Sequence, residues 1–179
     1  MGPGAKQKTT GAPTAGAPNG RLLLIGWKEW VALPDLGIPA IKAKIDTGAR
    51  TSALHAFALE AFRRGGVYRV RFAMHPLQRR RDVARTCEAV VLDHRRVKNS
   101  GGQVEQRYTI RTRLELGSLH WSIDITLTDR SDMLFRMLLG RTALAGRVCI
   151  DPAGTYLCGR RRARAYGVAK SGDSRKVHA

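Results

Sequence analysis

Short segments in which apolar and polar residues alternate are the feature that most constrains how this chain can fold. In YRVRF, three apolar residues alternate with two arginines, and the same period recurs in YTIRTRLEL and WSIDITL. Because successive side chains of a strand point to opposite faces, each segment is predicted to be a strand with one buried face. The predicted buried residues are Tyr68, Val70 and Phe72, then Tyr108, Ile110, Leu114 and Leu116, and then Trp121, Ile123, Ile125 and Leu127.

The rest of the chain also favours strands over helices. LLLIGW, EWVAL, AIKAKID, EAVVLDH and RVCID have strand composition, and turns that contain Gly or Pro separate them. Only DMLFRMLLGRTAL has apolar spacing typical of a helix, and it is short. The sequence therefore predicts an all-β domain, a closed or nearly closed barrel with one short helix near its C-terminal end.

The length and composition indicate one domain between two tails. Residues 1–20 are dominated by Gly, Pro, Ala and Thr and have almost nothing to bury, so a disordered arm is predicted there. Residues 21–159 are the predicted domain, and residues 160–179 are a predicted basic, flexible tail. The sequence has no run of eighteen apolar residues, no export signal and no C-x-x-C pair among its three cysteines. These features favour a reduced, cytoplasmic protein that does not span a membrane.

The net charge of +18 is spread along the chain. Residues 1–20 contribute +2 and residues 160–179 contribute +6, so the remaining +10 belongs to the domain. Such a surface favours an anionic partner, either nucleic acid, the ribosome, an acidic peptide or an anionic membrane surface. A solubilising surface with a basic tail is the other interpretation.

The segment AIKAKIDTG ends in a carboxylate at a tight turn. If Ile41, Ala43 and Ile45 face the core, then Asp46 lies on the opposite face, at the end of the strand. Gly48 permits a close approach of the backbone, and the Thr47 hydroxyl can bond into the loop. From these residues alone, Asp46 is either a catalytic acid or an acid that only bonds into its own turn.

A second element carries a family resemblance. About ninety residues after D-T-G-A, the segment MLLGRTAL places apolar residues before a glycine and the start of a short helix. This combination resembles the retropepsins, the single-domain aspartic peptidases. The resemblance implies a catalytic loop of Asp46, Thr47 and Gly48. It also implies a supporting strand that contains Leu138, Leu139 and Gly140.

Several separated segments narrow this resemblance. IGWKEWVALPDLGIPAIKAKIDTGARTSALHA, HPLQ, GQVEQRYTIRT and MLLGRTAL occur together in the order found in a bacterial family labelled ATP-dependent zinc proteases. That family has a retropepsin-like fold, and the resemblance runs from about Leu24 to Gly159. The predicted fold is therefore a closed retropepsin-like barrel.

The residues do not match the label of that family. The sequence has no G-x-x-x-x-G-K-[ST] loop for ATP and no H-E-x-x-H segment for zinc. Cys87, His75 and His94 could contribute metal ligands, but their spacing matches no compact zinc pattern. We therefore expect aspartic chemistry, with no metal and no cofactor.

The resemblance also implies an oligomeric state. Aspartic peptidases activate water between two aspartates that share a proton, and this chain has one D-[ST]-G segment. The second Asp46 would then come from another copy across a two-fold axis. A symmetric homodimer that is inactive as a monomer is therefore predicted.

Basic residues close to the two signature segments suggest the substrate. Members of the family have been linked to enzymes that ligate glutamate, with removal of a glutamate tail from a ribosomal protein as the implied task. A basic cleft suits such an acidic peptide, and ribosome association is a further implied contact. The predicted substrate-binding residues are Lys44, Ala49, Arg50, His75 and Arg141, with His55 also near in sequence. The alternative is an inactive module with the same barrel, which binds RNA or the ribosome through its charge.

Overall fold

The computed structural model describes residues 21–78, 80–98, 104–129, 134–159 and 163–167. Strands dominate this part of the chain, and the one α-helix in it, α1, spans Arg141–Leu144. Short 3-10 turns lie at Pro34–Leu36 and Ala163–Tyr166. The strands are β1 Leu23–Gly26, β2 Lys28–Leu33, β3 Ile38–Ile45, β4 Ser52–His55, β5 Phe57–Arg64, β6 Val67–Met74, β7 Arg85–Lys98, β8 Val104–Leu116, β9 Leu119–Thr128, β10 Met137–Leu139 and β11 Val148–Asp151.

Six of these strands close into a barrel. Their order is β2, β3, β10, β4, β9 and β8, and an antiparallel pairing between β8 and β2 joins the two ends. Closure removes the free strand edges of this part of the sheet, which would otherwise be open to pairing with other chains. The prediction of an all-β domain with a closed barrel and one short helix is confirmed.

The alternating pattern places the predicted residues inside the barrel. Ile110, Leu114 and Leu116 on β8 and Ile125 and Leu127 on β9 are fully buried. On β3, Ile41, Ala43 and Ile45 are buried, while Lys44 on the opposite face is exposed. Burial of each large apolar side chain stabilises the fold by about 1.5–3 kcal/mol.

A long hairpin leaves the barrel and extends the sheet. β7 and β8 pair up to Lys98 and Val104, so the Gly-rich segment between them connects two strands, as its composition suggests. Residues 99–103 lie outside the described part of the chain. β7 also pairs with β6, and β6 pairs with β5, which places these strands beyond the barrel.

The apolar segment before the helix forms a strand, although its apolar spacing had suggested a helix. Met137–Leu139 forms β10, and the helix is confined to the four residues that follow Gly140. β10 is inserted between two strands, since it pairs in parallel with β3 and antiparallel with β4. These ladder hydrogen bonds satisfy its backbone groups better than one isolated helical turn would.

The two ends of the domain are joined by a buried carboxylate. β1 pairs in parallel with β11, and Glu29 beside them is fully buried. Glu29 accepts hydrogen bonds from the amides of Gly26 at 2.7 Å, Leu157 at 2.9 Å and Cys158 at 3.3 Å. Three amide donors compensate for the removal of this carboxylate from water.

Part of the predicted C-terminal tail packs on the domain. Tyr166 is buried beside Ala40, Leu77 and Val83, and its hydroxyl donates a hydrogen bond to the carbonyl oxygen of Ala40. Burial raises the pKa of Tyr166 to about 12. The predicted arm at 1–20 and the tail segments 160–162 and 168–179 lie outside the described residues.

The helices and the cysteines bear on the predicted location and redox state of the protein. In the described segments, no helix has the length and apolar character that crossing a membrane requires. All three cysteines are free thiols.

Candidate active site

Asp46 follows the last residue of β3 and is held by backbone amides. Its own N–H donates a hydrogen bond to the carbonyl oxygen of Leu139 at 2.9 Å, which ties the loop to β10. Its carboxylate oxygen Oδ1 accepts hydrogen bonds from the amides of Gly48 and Ala49, both at 3.2 Å. These two amide donors fix the direction of the carboxylate.

The residue between β10 and α1 lies so close to the loop that it must be glycine. A Cβ atom at Gly140 would lie 2.6 Å from the carbonyl carbon of Thr51 and 2.9 Å from the carbonyl oxygen of Arg50. Both distances are well inside van der Waals contact. The amide of Gly140 also donates a hydrogen bond to Ser52 Oγ at 3.2 Å. Gly140 therefore brings the start of α1 against the D-T-G loop.

The first residues of α1 hold the other side of the same loop. One guanidinium nitrogen of Arg141, Nη1, donates hydrogen bonds to the carbonyl oxygens of Thr47 and Gly48, both at 2.9 Å. The amide of Arg141 donates to the carbonyl oxygen of Ala49 at 2.9 Å. The predicted substrate-binding residue Arg141 thus contacts the D-T-G loop itself.

A cleft of about 750 Å³ opens beside Asp46. Its lining comes from the D-T-G loop, from α1 and from the neighbouring strands β10, β4, β9, β8 and β7 of one sheet. Three arginines, Arg50, Arg95 and Arg107, line it together with Asp46. The other lining residues are Ala49, Thr51, Ser52, Ala53, Leu92, Asp93, Thr109, Asp124, Thr126, Thr128, Leu138 and Thr142.

The other carboxylates of the cleft are engaged in ion pairs. Asp93 lies 2.6 Å from Arg95 Nε. Asp124 accepts hydrogen bonds from Arg111 at 2.7 and 3.1 Å. Because both carboxylates already accept hydrogen bonds from guanidinium groups, neither is placed to share a proton with Asp46.

Two predicted histidines lie in a different cluster. The ring of His75 stacks on Phe57 with centroids 4.7 Å apart, and His55 is buried at the end of β4. The pKa of each histidine is lowered, first by removal from water and then by the nearby charge of Arg136. Neither His55 nor His75 is among the described residues that line the cleft.

Of the other predicted substrate-binding and supporting residues, some line the cleft and others do not. Ala49, Arg50 and Leu138 line the cleft, while Leu139 is buried behind it. Lys44 is exposed on the outer face of β3, directly opposite Lys28 of β2.

The cysteine and histidines considered as zinc ligands make separate contacts. The Cys87 thiol is buried and donates a hydrogen bond to the carbonyl oxygen of Leu36 at 3.3 Å. Burial raises its pKa to about 11. His94 stacks on Tyr108 instead. Within the described residues, no group of three or more His, Cys, Asp or Glu side chains has the arrangement of a metal site.

Comparison with known proteins decides the family. Residues 24–161 match the model of the RimB-like family, described as retropepsin-like aspartic endopeptidase RimB. The chain belongs to this family. RimB-like membership agrees with the closed barrel.

Curated relatives of this RimB-like chain are longer proteins. Proteins named probable alpha-L-glutamate ligase are 41% identical over 84% of the chain in Shewanella halifaxensis and 48% identical over 78% in Parasynechococcus marenigrum. The matched segments make up 34% and 30% of those two proteins, so the chain spans about a third of their length.

A solved structure shares the RimB-like fold. It is the crystal structure of a Legionella pneumophila protein of unknown function, with a TM-score of 0.64 and 25% sequence identity. The similarity covers 76% of this chain and 98% of the Legionella protein.

Sequence reasoning missed two arginines of the RimB-like cleft. Arg95 and Arg107 are paired directly across β7 and β8, and both line the cleft. The signal for Arg107 was its position directly before YTIRTRLEL, where it alternates with the buried Tyr108 and Ile110. That pattern shows that the side chain faces outward, but it does not show that the hairpin reaches the D-T-G loop.

Proposed function

We propose that this protein is an aspartic endopeptidase that cleaves acidic, glutamate-rich peptide segments. The observation that carries the proposal is the position of Asp46, whose carboxylate is fixed by two amides at the edge of a cleft lined by three arginines. Membership of a family of retropepsin-like aspartic endopeptidases supports the reaction class.

The second catalytic carboxylate is assigned to Asp46 of a second copy. Within the cleft, Asp93 and Asp124 are already bound by guanidinium groups. A two-fold axis beside the D-T-G loop would bring two Asp46 carboxylates together without any other acid. The active species is therefore a homodimer.

The mechanism follows from two carboxylates that share one proton. Two like charges a few ångströms apart cannot both ionise, so one Asp46 stays protonated and its partner stays charged. The charged carboxylate takes a proton from water as the water oxygen attacks the peptide carbonyl carbon. The protonated carboxyl gives its proton to the carbonyl oxygen. As the tetrahedral intermediate collapses, the carboxyl group that took the proton from water gives it to the leaving amine nitrogen. A hydroxyl of the intermediate returns its proton to the other carboxylate, which yields the carboxylic acid product and restores the shared proton.

Hydrogen bonds within the D-T-G loop and from Arg141 would position Asp46 for this reaction. Because Oδ1 of Asp46 already accepts two amide hydrogen bonds, the proposal assigns the shared proton to Oδ2. Arg141 binds the carbonyl oxygens of Thr47 and Gly48, which restricts the loop before substrate arrives. A restricted loop lowers the entropy lost on the way to the transition state.

Acidic substrates are proposed from the three guanidinium groups of the cleft, although Asp46, Asp93 and Asp124 line it as well. Arg50, Arg95 and Arg107 present guanidinium groups, which bind carboxylates well. The names of the longer relatives, probable alpha-L-glutamate ligase, connect the matched segment with glutamate chemistry. A glutamate tail on a ribosomal protein fits both observations, and it would bring this protein to the ribosome.

The test compares an acidic peptide with a neutral one. The protein is incubated with a poly-α-glutamate peptide and with a poly-alanine-based peptide of equal length, with and without a chelator, and products are identified by mass spectrometry. We expect cleavage of the acidic peptide, retained with the chelator and lost in Asp46→Asn. Arg113→Gln, an exposed charge change on β8 outside the cleft lining, is the matched control and should retain cleavage.

Three results would count against this function. Full cleavage by Asp46→Asn would remove Asp46 from the mechanism. Loss of cleavage on chelation would favour metal chemistry. Absence of cleavage, together with salt-sensitive RNA or ribosome binding, would favour the inactive binding module.

A further inference from the structure

A second cationic surface lies outside the cleft, on the outer face of β2 and β3. The lysine–aromatic surface consists of Trp27, Lys28, Trp30, Lys42 and Tyr156. Lys28 Nζ lies 4.3 Å from the ring centroid of Trp27 and 5.4 Å from that of Tyr156. Lys42 Nζ lies 5.2 Å from the ring centroid of Trp30 and 5.8 Å from that of Tyr156. Two ammonium groups therefore share one tyrosine ring.

The position of Tyr156 is fixed by several backbone contacts. Its φ angle is 58°, a left-handed conformation that is unfavourable for a tyrosine. Its amide donates to the carbonyl oxygen of Lys28 at 2.9 Å, and the next two amides bind the buried Glu29 carboxylate. On the other side, the amide of Trp27 donates to the carbonyl oxygen of Gly154 at 3.0 Å. The strained residue is held in place by its surroundings and keeps its ring between the two lysines.

The strand geometry gives this surface a regular spacing. Lys28 lies opposite Lys44, and Trp30 lies opposite Lys42. Along β3, Lys42, Lys44 and Asp46 occupy one face at intervals of two residues, about 6.6 Å each. An extended peptide presents every second side chain at the same interval. A run of acidic residues in extended form can therefore place successive carboxylates over successive lysines.

We propose that the lysine–aromatic surface, together with Lys44, binds an extended acidic segment of the substrate outside the cleft. The choice of occupant rests on the proposed function. Cation–π contacts hold each ammonium near one position, so less side-chain entropy is lost when a carboxylate binds. The surface would thus hold the acidic chain beside the Asp46 loop while another part of it occupies the cleft.

Charge and geometry favour an acidic peptide over two other occupants, which are further segments of this chain and single-stranded RNA. The segments near the two ends of the chain that lie outside the described residues, 1–20, 160–162 and 168–179, each carry net positive charge, so electrostatic repulsion disfavours them here. Single-stranded RNA binds by stacking its bases on aromatic faces. Here lysine ammonium groups already lie over the rings of Trp27, Trp30 and Tyr156.

The experiment measures binding without cleavage. The full chain carrying Asp46→Asn is titrated against a fluorescein-labelled peptide of about ten glutamates, which is long enough to cross the surface in extended form. Fluorescence anisotropy is recorded at about 0.1 M salt, where surface charges interact over about 10 Å. Lys28→Gln with Lys42→Gln should weaken binding by about tenfold. Arg63→Gln should change it by less than about twofold.

Arg63 is a matched control because its guanidinium also lies over an aromatic ring, that of Tyr68 at 5.7 Å, on the β5–β6 hairpin. The same affinity in the lysine double variant and in Arg63→Gln would overturn the proposal. Lysine-dependent binding of single-stranded RNA that is tighter than that of the glutamate peptide would overturn it in favour of a nucleic-acid surface.

The same samples separate this proposal from the proposed function. If the protein with intact Asp46 does not cleave the peptide but binding still depends on Lys28 and Lys42, the peptidase fails and the surface stands. If the peptide is cleaved and binding does not depend on these lysines, the surface fails and the peptidase stands.

Discussion

The guanidinium of Arg141 donates a hydrogen bond of 2.9 Å to the carbonyl oxygen of Gly48, across 93 residues of sequence. The same nitrogen also binds the neighbouring carbonyl of the D-T-G loop. A side chain that was predicted from sequence to contact substrate is thus placed where it can fix the D-T-G loop. The contact separates two roles that kinetics can distinguish.

If Arg141 positions the loop, its removal should lower the rate of the chemical step. We expect Arg141→Ala to reduce kcat on an acidic peptide by about 10- to 100-fold with little change in KM, because a displaced catalytic group costs rate more than binding. Steady-state kinetics, with Arg113→Ala as the control for loss of an exposed arginine, measures both constants. A large rise in KM at constant kcat would show instead that Arg141 binds substrate.

Gly140 should tolerate no side chain. The Cβ atom of Gly140→Ala would meet the backbone of Thr51 at 2.6 Å, and backbone cannot move aside as a flexible side chain can. We expect a loss of about 1–3 kcal/mol in the free energy of unfolding, measured by urea denaturation. Gly65→Asn is the comparison, since Gly65 has open space around it and Asn tolerates its φ of 57°. Equal stabilities of the two variants would contradict the close approach of β10.

A shared pair of aspartates predicts how activity falls when subunits are mixed. Asp46→Asn protein is added to wild-type protein under conditions that allow subunit exchange, at constant total concentration. If each active site needs Asp46 from both copies, an equal mixture retains about one quarter of the activity. A linear fall, with half of the activity left in the equal mixture, would mean that each copy works alone.

The buried His55 should make the fold less stable in acid. Its folded-state pKa is lowered, by burial first and Arg136 next, although Asp129 opposes the shift and His75 adds to it. Between the ordinary histidine pKa near 6.5 and the lower folded value, the unfolded chain binds the proton more readily. Stability is therefore fully present above about pH 6.5 and falls as the pH drops toward the folded pKa.

Urea denaturation at several pH values checks this dependence. We expect His55→Gln to flatten the fall in unfolding free energy between about pH 7 and pH 5. His120→Gln, a change at an exposed position on β9, serves as the control. If His55→Gln and the wild-type protein lose stability in parallel over this range, His55 is not the group responsible.

The barrel was predictable where alternation and burial agree. Ile110 and Ile125 are apolar at every second position with polar neighbours, and they are fully buried. β5 was not predicted, because FALEAFRR is composed of good helix formers. It forms a strand through its pairing with β6, which is interrupted at a register shift where Ala58 has a φ of 50°.

The D-T-G loop of the candidate site was predictable from the sequence, but the contribution of the β7–β8 hairpin to the cleft was not. The D-T-G segment and the MLLG segment are each local patterns, and the structure brings Asp46 and Leu139 together by a direct hydrogen bond. Arg95 and Arg107 reach the cleft through the path of a long hairpin, which depends on pairings across the whole sheet. The contribution of each basic residue to substrate binding stays a prediction.

The buried Glu29 carboxylate has a consequence for synthesis of the chain. One of its amide partners, Leu157, follows it by 128 residues, so a growing chain exposes this acid to water long before that partner exists. Closing so long a loop is entropically costly, and contacts this distant in sequence form slowly. We expect the joint between β1 and β11 to form only after the last strand has left the ribosome. Until then β1 lacks its partner strand β11, and this part of the nascent domain is exposed to cellular chaperones and proteases.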